Sequence, residues 1–199
     1  MSTLFEETIR EHLKVIESLH DLLPELEQIA AVMSRAIMSG RKILWCGNGG
    51  SAADSQHLAA ELVGRFGRER RALPSIALST NTSILTAIGN DYGYEHVFRR
   101  QVEALCVPGD VVVGISTSGN SPNICRALEV ARECGARTVA FTGATGGAMA
   151  GIAELALRIP SNQTPRIQEA HILCGHMLCD YVEASVCTLE DEPAKAAAR

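Results

Sequence analysis

The fold is decided by the stretch "KILWCGNGGSAADSQH", residues 42–57. It starts with a short apolar run, turns at three glycines and continues with residues that favour a helix. A strand that enters a helix through such a turn is the unit of parallel sheets, because parallel neighbours need a crossover connection that a helix usually supplies. The sequence on both sides of this stretch keeps alternating between strand and helix periodicity.

Five apolar runs have the length and composition of strands that are buried on both faces of a sheet. They are residues 42–46, 74–79, 110–116, 137–142 and 154–160. Helical spacing is found at residues 4–20, 22–38, 51–66, 81–89, 94–106, 121–134, 147–153 and 165–187. This alternation predicts an α/β fold with a doubly wound parallel sheet and helices on both faces. Ligands of such sheets bind beyond the carboxyl ends of the strands, where the strand order reverses.

The composition is that of one globular domain, with 199 residues, 46% hydrophobic residues and 21% charged residues. A net charge of −5 without a basic stripe disfavours nucleic acid as a partner. Arg65, Arg68, Arg70 and Arg71 are interpreted as a solvated rim. Seven cysteines without a C-x-x-C pair indicate reduced core thiols. We expect a cytoplasmic protein with no membrane partner, because no leader-like start and no run of ~18 apolar residues is found.

The glycine turn at residues 47–51 is a candidate anion site. Glycines let backbone N–H groups approach a phosphate, and the helix that follows adds the partial positive charge of its N-terminus. The lysine of a nucleotide-binding P-loop is missing. The spacing of Gly47, Gly49 and Ala52 matches the dinucleotide fingerprint, but no acid follows the next strand to hold a ribose. A nicotinamide cofactor is therefore disfavoured.

A second loop, "STSGNSPN" at residues 116–123, is the more specific phosphate candidate. Four hydroxyl side chains surround one glycine, and Ser121 followed by Pro122 is typical of a helix start. An ordinary strand-to-helix turn is the alternative, since serine and glycine are common in turns. Two polar loops at the same edge of a parallel sheet suggest a ligand with two polar ends, such as a phosphorylated sugar.

Two helices carry side chains that could perform chemistry. His57 and Glu61 are four residues apart and share one helix face, so they could bind a metal or act as a base and its partner. On the last helix, Gln168 and His176 are rotated by ~80° from each other and fit one surface strip, whereas His171 lies ~140° from His176. Spacing alone does not choose between the two histidines.

Five motifs in order along the chain resemble those of the bacterial sedoheptulose-7-phosphate isomerases, or phosphoheptose isomerases, of the sugar isomerase (SIS) fold. They are "GNGGSAADSQH" (47–57), "GNDYG" (89–93), "GDVVVGISTSGNSPN" (109–123), "FTGATGGAMA" (141–150) and "RIQEAHILCGH" (166–176). The resemblance runs from about residue 41 to residue 187. It implies a flavodoxin-like sheet of five parallel strands, with residues 1–199 as one SIS domain that includes helices 1–39 and 165–187. It also implies a homotetramer with active sites between subunits.

The resemblance implies a reaction, a cofactor and site residues. The reaction converts sedoheptulose 7-phosphate to D-glycero-D-manno-heptose 7-phosphate, the first step toward ADP-heptose. One zinc ion per subunit is implied on His57, Glu61, Gln168 and His176, which favours His176 over His171. We expect the sugar phosphate to contact Asn48, Gly49, Gly50, Ser51, Glu61, Asn90, Asp91, Ser116, Thr117, Ser118, Ser121 and Gln168.

For catalysis we expect Glu61 to be the base and His176 the acid, with Asp91 orienting a sugar hydroxyl. A zinc ion would act as a Lewis acid on the substrate oxygens. Because a cation lowers the proton affinity of a ligating carboxylate, zinc is either partly structural or Glu61 changes its coordination during turnover.

Two other functions are weighed against the isomerase. One is the non-catalytic tetrameric SIS scaffold that binds the bacterial replication initiator, whose pattern lacks the equivalents of Glu61 and His176. The other is a phosphosugar-sensing module, which gives no reason for a cluster of two histidines, a glutamate and a glutamine. Both residues that the scaffold lacks are present here, which favours the enzyme.

Overall fold

The computed structural model describes residues 2–197, and the side chains of residues 3–188. The strands are β1 (Ile43–Gly47), β2 (Ser75–Ala77), β3 (Val111–Ile115), β4 (Arg137–Thr142) and β5 (Leu155–Arg158). The α-helices are α1 (Ser2–Glu17), α2 (Leu23–Met38), α3 (Gly50–Val63), α4 (Thr82–Tyr92), α5 (Arg99–Leu105), α6 (Pro122–Glu133), α7 (Met149–Ile152) and α8 (Thr164–Ala197). Short 3₁₀ turns follow α1 and α4. No helix in this range combines the length and the apolarity that a membrane crossing needs.

The five strands form one parallel sheet in the order β2-β1-β3-β4-β5. This is the flavodoxin-like order, whose direction of winding reverses between β1 and β3. The two strands pair in register from Ile43 opposite Val111 to Gly47 opposite Ile115, so their carboxyl ends lie side by side. The fold class predicted from the sequence is confirmed.

Helices cover both faces of the sheet because alternate residues of each strand point to opposite sides. Ile43 and Trp45 of β1 belong to a core with residues of α1, α2, α3 and α8. Leu44 and Cys46 belong to a second core with residues of α5, α6 and α7. The seven cysteines are free, and three of them are buried.

The prediction that every strand is buried on both faces is wrong for β2 and β5. β1 and β3 are buried throughout, whereas Ile76 in β2 is 38% exposed and Arg158 in β5 is exposed. These two strands lie at the edges of the sheet, where helices and neighbouring strands cover less surface. They are also shorter than predicted, with three and four residues.

Helices α3 and α8 run side by side in the same direction. A Cβ atom on Gly50 would lie 2.6 Å from Nε2 of Gln168, and one on Gly175 would lie 2.6 Å from both methyl groups of Leu58. Because Gly175 has no side chain, the two helices approach closely at Leu58. This contact sets the distance between the predicted site residues on the two helices.

We expect Gly175→Ala to lower the free energy of unfolding. Alanine in a helix gains about 1 kcal/mol over glycine, but a new methyl group in a filled contact costs about 1–3 kcal/mol, so the net loss is about 1 kcal/mol. Urea unfolding at fixed protein concentration measures the change. The control is Gly151→Ala in α7, where a Cβ atom would meet nothing within 4 Å. Equal stabilities of the two variants would contradict the tight α3–α8 contact.

Candidate active site

Two loops meet where the winding of the sheet reverses. The first, residues 47–51, leaves β1 and begins α3 at Gly50. Gly49 has φ +56°, a conformation that favours glycine, and a Cβ atom on Gly47 would lie 2.3 Å from the backbone oxygen of Ser51. The glycines therefore let the chain fold back tightly, and the N-terminus of α3 faces the crevice.

The second loop, residues 116–121, leaves β3 and leads into α6. The hydroxyl oxygen of Ser116 lies 2.9 Å from that of Ser121 and 3.3 Å from that of Ser118. The side chain of Ser121 makes no capping hydrogen bond to α6, and the N–H groups of Ile124 and Cys125 donate to the backbone carbonyl of Ser121 at 3.1 and 3.0 Å. The loop combines clustered hydroxyls with a helix N-terminus, as a phosphate site requires.

A third loop, residues 143–147, lies against the second. Gly119 and Gly147 both have positive φ, and a Cβ atom on either would meet the backbone of the other loop at 2.6 Å or less. The N–H of Met149 donates to the Gly119 carbonyl at 2.9 Å, and that of Gly143 donates to the Thr117 carbonyl at 3.0 Å. A cavity of about 300 Å³ lies between the two loops and the start of α8.

The first two loops are joined by an asparagine pair. Nδ2 of Asn48 donates to Oδ1 of Asn123 at 3.0 Å, and Nδ2 of Asn123 donates back to Oδ1 of Asn48 at 2.9 Å. The hydroxyl of Tyr94 lies 3.5 Å from Oδ1 of Asn48. Asn123 is buried, and its role was not predicted from the sequence, although it lies in the quoted motif one residue after the helix-starting proline.

A second cluster lies further along α3. Nε2 of His57 is 2.9 Å from Nε2 of His176 and 3.2 Å from Oε1 of Glu61. One ligand atom from each residue can be chosen so that all three lie within 4.8 Å of one another. The centroid of the Phe66 ring, a residue not predicted from the sequence, lies 5.6 Å from that of the His176 ring. One turn before His57, burial raises the pKa of Asp54, and His57 partly opposes this shift.

The structure places the remaining predicted residues apart from this cluster. The Gln168 amide lies against Gly50 at the start of α3, whereas His57 and Glu61 are two to three turns further along that helix. Asn90 and Asp91 are exposed at the end of α4, where Nδ2 of Asn90 donates to Oδ1 of Asp91 at 2.8 Å.

His171, the histidine that spacing did not separate from His176, is a core residue. It is 1% exposed, and its Nε2 lies 3.1 Å from the carbonyl oxygen of Thr142 at the end of β4. Burial lowers its pKa from 6.5 to about 4, although the Thr142 carbonyl favours the protonated form. The neutral ring links α8 to β4.

Comparisons with known protein families and with individual relatives indicate the same family for this chain. The profile of the family described as "SIS domain" matches residues 5–143. The phosphoheptose isomerase of Aquifex aeolicus (strain VF5) is 59% identical over 163 residues, which cover 82% of this chain and 85% of the relative. The phosphoheptose isomerase of Geobacter sp. (strain M21) is 59% identical over 176 residues, with 88% and 92% covered.

A solved structure indicates the same family. The phosphoheptose isomerase of Neisseria gonorrhoeae superposes with a TM-score of 0.82 at 45% identity, over 92% of this chain and 96% of that one. This chain belongs to the SIS domain family and, within it, to the phosphoheptose isomerases.

The buried His171 predicts a pH dependence of stability. An unfolded histidine takes up a proton below pH 6.5, whereas the folded ring resists protonation down to about pH 4. The stability that the neutral ring contributes is thus fully present above pH 6.5 and is lost as the pH falls to about 4. The loss in the free energy of unfolding is at most about 3 kcal/mol. We expect the wild type to lose stability relative to His171→Gln over this range, as measured by urea unfolding from pH 7 to pH 4. A difference that stays constant with pH would contradict the assignment.

Proposed function

We propose that this chain is a ketose/aldose phosphate isomerase that converts sedoheptulose 7-phosphate to D-glycero-D-manno-heptose 7-phosphate through an enediol, the first step toward ADP-heptose. The observation that carries the proposal is the cluster in which Nε2 of His57 lies within 3.2 Å of both Glu61 and His176. The glycine loop begins the helix that carries His57 and Glu61. The names of the relatives support the same reaction class.

In the proposed site the sugar phosphate binds across the crevice. Its phosphate accepts hydrogen bonds from the hydroxyls of Ser116, Thr117, Ser118 and Ser121 and lies at the partial positive charge of the N-terminus of α6. Backbone and side-chain groups of Asn48, Gly49, Gly50 and Ser51, with the Gln168 amide, hold its hydroxyl groups. Asn90 and Asp91 complete the proposed set of sugar contacts.

The reaction moves a proton between two neighbouring carbons. The Glu61 carboxylate takes a proton from C1 of the ketose and returns it to C2, while His176 transfers a proton between the two oxygens. Asp91 orients a sugar hydroxyl. Of these residues, Glu61 and His176 are joined through His57, which lies within 3.2 Å of both.

The donor atoms of the cluster fit zinc. Two imidazole nitrogens and a carboxylate oxygen are ordinary zinc ligands, and separations of 2.9 Å and 3.2 Å are close to those around one tetrahedral ion. We propose one zinc per subunit on His57, Glu61 and His176. Gln168 is the fourth ligand that the resemblance implies, but its amide lies beside Gly50, two turns before His57, which favours a substrate role. When bound, zinc would supply a Lewis acid for the substrate oxygens.

We further propose a cytoplasmic homotetramer with active sites between subunits. Glu61 follows Gly50 by eleven positions, roughly 16 Å along α3, a distance that a seven-carbon chain does not bridge. Loops and cluster within one chain are thus too far apart to act on one sugar, and a neighbouring subunit would complete each site. A row of exposed apolar residues on α1 supplies a surface for assembly: Leu4, Phe5, Ile9 and Leu13.

The reaction is tested by incubating the purified protein with sedoheptulose 7-phosphate in deuterated water and following the product by NMR. We expect an aldoheptose 7-phosphate with deuterium at C2, because a proton held on Glu61 exchanges with solvent. Absence of turnover with zinc supplied would overturn the proposal. Capture of the replication initiator by that inactive protein would favour the scaffold function instead.

The roles of the cluster are tested by Glu61→Gln and His176→Gln. Each should lower kcat by about 100-fold or more, the usual contribution of a positioned acid or base, and should weaken zinc binding in calorimetric titrations. The matched control is His171→Gln on the same helix, which should keep kcat within about threefold at pH 7.5 because it changes a core contact only. Near wild-type turnover of either cluster variant would refute its assigned role.

A further inference from the structure

The segment that follows α3 is held by a buried carboxylate on α8. Glu183 is 0% exposed and accepts hydrogen bonds from the backbone N–H groups of Phe66 (2.9 Å), Gly67 (2.8 Å) and Arg68 (2.8 Å). Burial raises the pKa of this carboxyl, but the three N–H groups and Arg70 more than offset it, so the pKa is lowered. The carboxylate is therefore charged and fully engaged in the folded protein.

Arg70 is the buried partner of this carboxylate, and the exposed Arg68 guanidinium lies 3.7 Å from it. The prediction that Arg70 forms part of a solvated rim is wrong. Its Nε lies 3.1 Å from Oε1 of Glu183, and both side chains are buried. A guanidinium that folding buries needs a carboxylate beside it. The partner of Arg70 could not be predicted from the sequence, because Glu183 is 113 positions away.

Arg70 also reaches the end of α3. Its Nη2 donates to the backbone carbonyl of Glu61 at 3.0 Å, and its Nη1 donates to that of Gly64 at 3.1 Å. The carbonyls in the last turn of a helix lack intrahelical donors, so the guanidinium caps α3 at the residue that carries the proposed base.

The same carboxylate determines where Phe66 lies. Glu183 binds the N–H of Phe66, whose ring contacts His176. Glu183 follows His176 by seven residues on α8, so both lie on nearly the same face of the helix. One buried ion pair thus touches both halves of the histidine–glutamate cluster, through the backbone of Glu61 and through the ring beside His176.

We propose that Glu183 and Arg70 are positioning residues that fix Glu61 and Phe66 relative to His176 and thereby set the geometry of the cluster. The catalytic consequence rests on the proposed isomerase function, whereas the effect on the His176 ring does not. The chain offers a matched comparison in Asp110, a fully buried carboxylate on the residue before β3. It accepts hydrogen bonds from the backbone N–H groups of Lys42 (3.0 Å) and Val107 (2.9 Å) and pairs with the Lys42 ammonium at 2.6 Å.

The test compares Glu183→Gln with Asp110→Asn in the full-length protein labelled with ¹⁵N-histidine. Both variants lose a buried charge that binds backbone N–H groups, so both should be less stable than the wild type. We expect only Glu183→Gln to shift the ring signals of His176 in the metal-free protein, with the signals assigned by His176→Gln. Unchanged His176 signals in Glu183→Gln, or an equal shift in Asp110→Asn, would overturn the proposal.

Turnover gives the second readout. Glu183→Gln should lower kcat by about 10- to 100-fold, because small displacements of a catalytic group have effects of this size, while KM stays within about threefold and Asp110→Asn changes neither. If Glu183→Gln fails to fold, Phe66→Leu and Arg70→Lys replace it. Both variants keep the Glu183 carboxylate, and we expect each of them to shift the ring signals of His176. Unchanged signals in either variant would contradict the proposal. Because the ring signals need no substrate, an inactive protein that shows these shifts would contradict the isomerase function alone.

Discussion

The close parallel packing of α3 on α8 is the contact on which the rest of the site depends. α3 is attached to β1 through the glycine turn, and α8 comes from the other end of the sheet, so no local sequence brings their side chains together. The absence of a side chain at Gly175 lets Leu58 fill the space between the helices. His57, one residue before Leu58, then meets His176, one residue after Gly175, and Gln168 meets Gly50 two turns earlier on both helices.

The crevice at the carboxyl ends of β1 and β3 depends on contacts between loops rather than on the packing of helices. Its three loops contain little besides glycines, hydroxyls and amides, and they approach each other so closely that backbone touches backbone at Gly119 and Gly147. Such loops present N–H groups and helix N-termini to an anion without a lysine or arginine among their own residues, although the Arg158 guanidinium lies against Gly146 of the third loop. The net charge of −5 is therefore compatible with the proposed phosphate site.

Much of the fold could be predicted from the sequence, because the period of the apolar residues records which faces of each element are buried. The central strands follow this rule, whereas β2 and β5 do not, since burial at a sheet edge depends on what lies beyond it. For the candidate site, His57 and Glu61 could be paired from spacing alone. His171 and His176 could not be told apart, because each is surrounded by apolar residues and only the packing of α8 shows which ring faces β4.

The contacts that escaped prediction are all between residues distant in sequence. Asn123 and Glu183 occupy ordinary helical positions, and nothing in their neighbours shows that one binds Asn48 and the other the segment after α3. The buried Arg70 looked like a surface residue because three other arginines surround it. Polar groups of this kind carry no periodic signal, and their partners become visible only when the chain is folded.

The reciprocal bond between Asn48 and Asn123 has a thermodynamic consequence for ligand binding. Ordering a polar side chain at an interface costs about 0.5–1.5 kcal/mol of conformational entropy, and here each amide holds the other in one rotamer before a ligand arrives. Each amide still has a second N–H that the pair does not use. A ligand that accepts a hydrogen bond from Asn48 thus meets a side chain whose entropy was lost during folding, so more of the interaction energy contributes to its affinity.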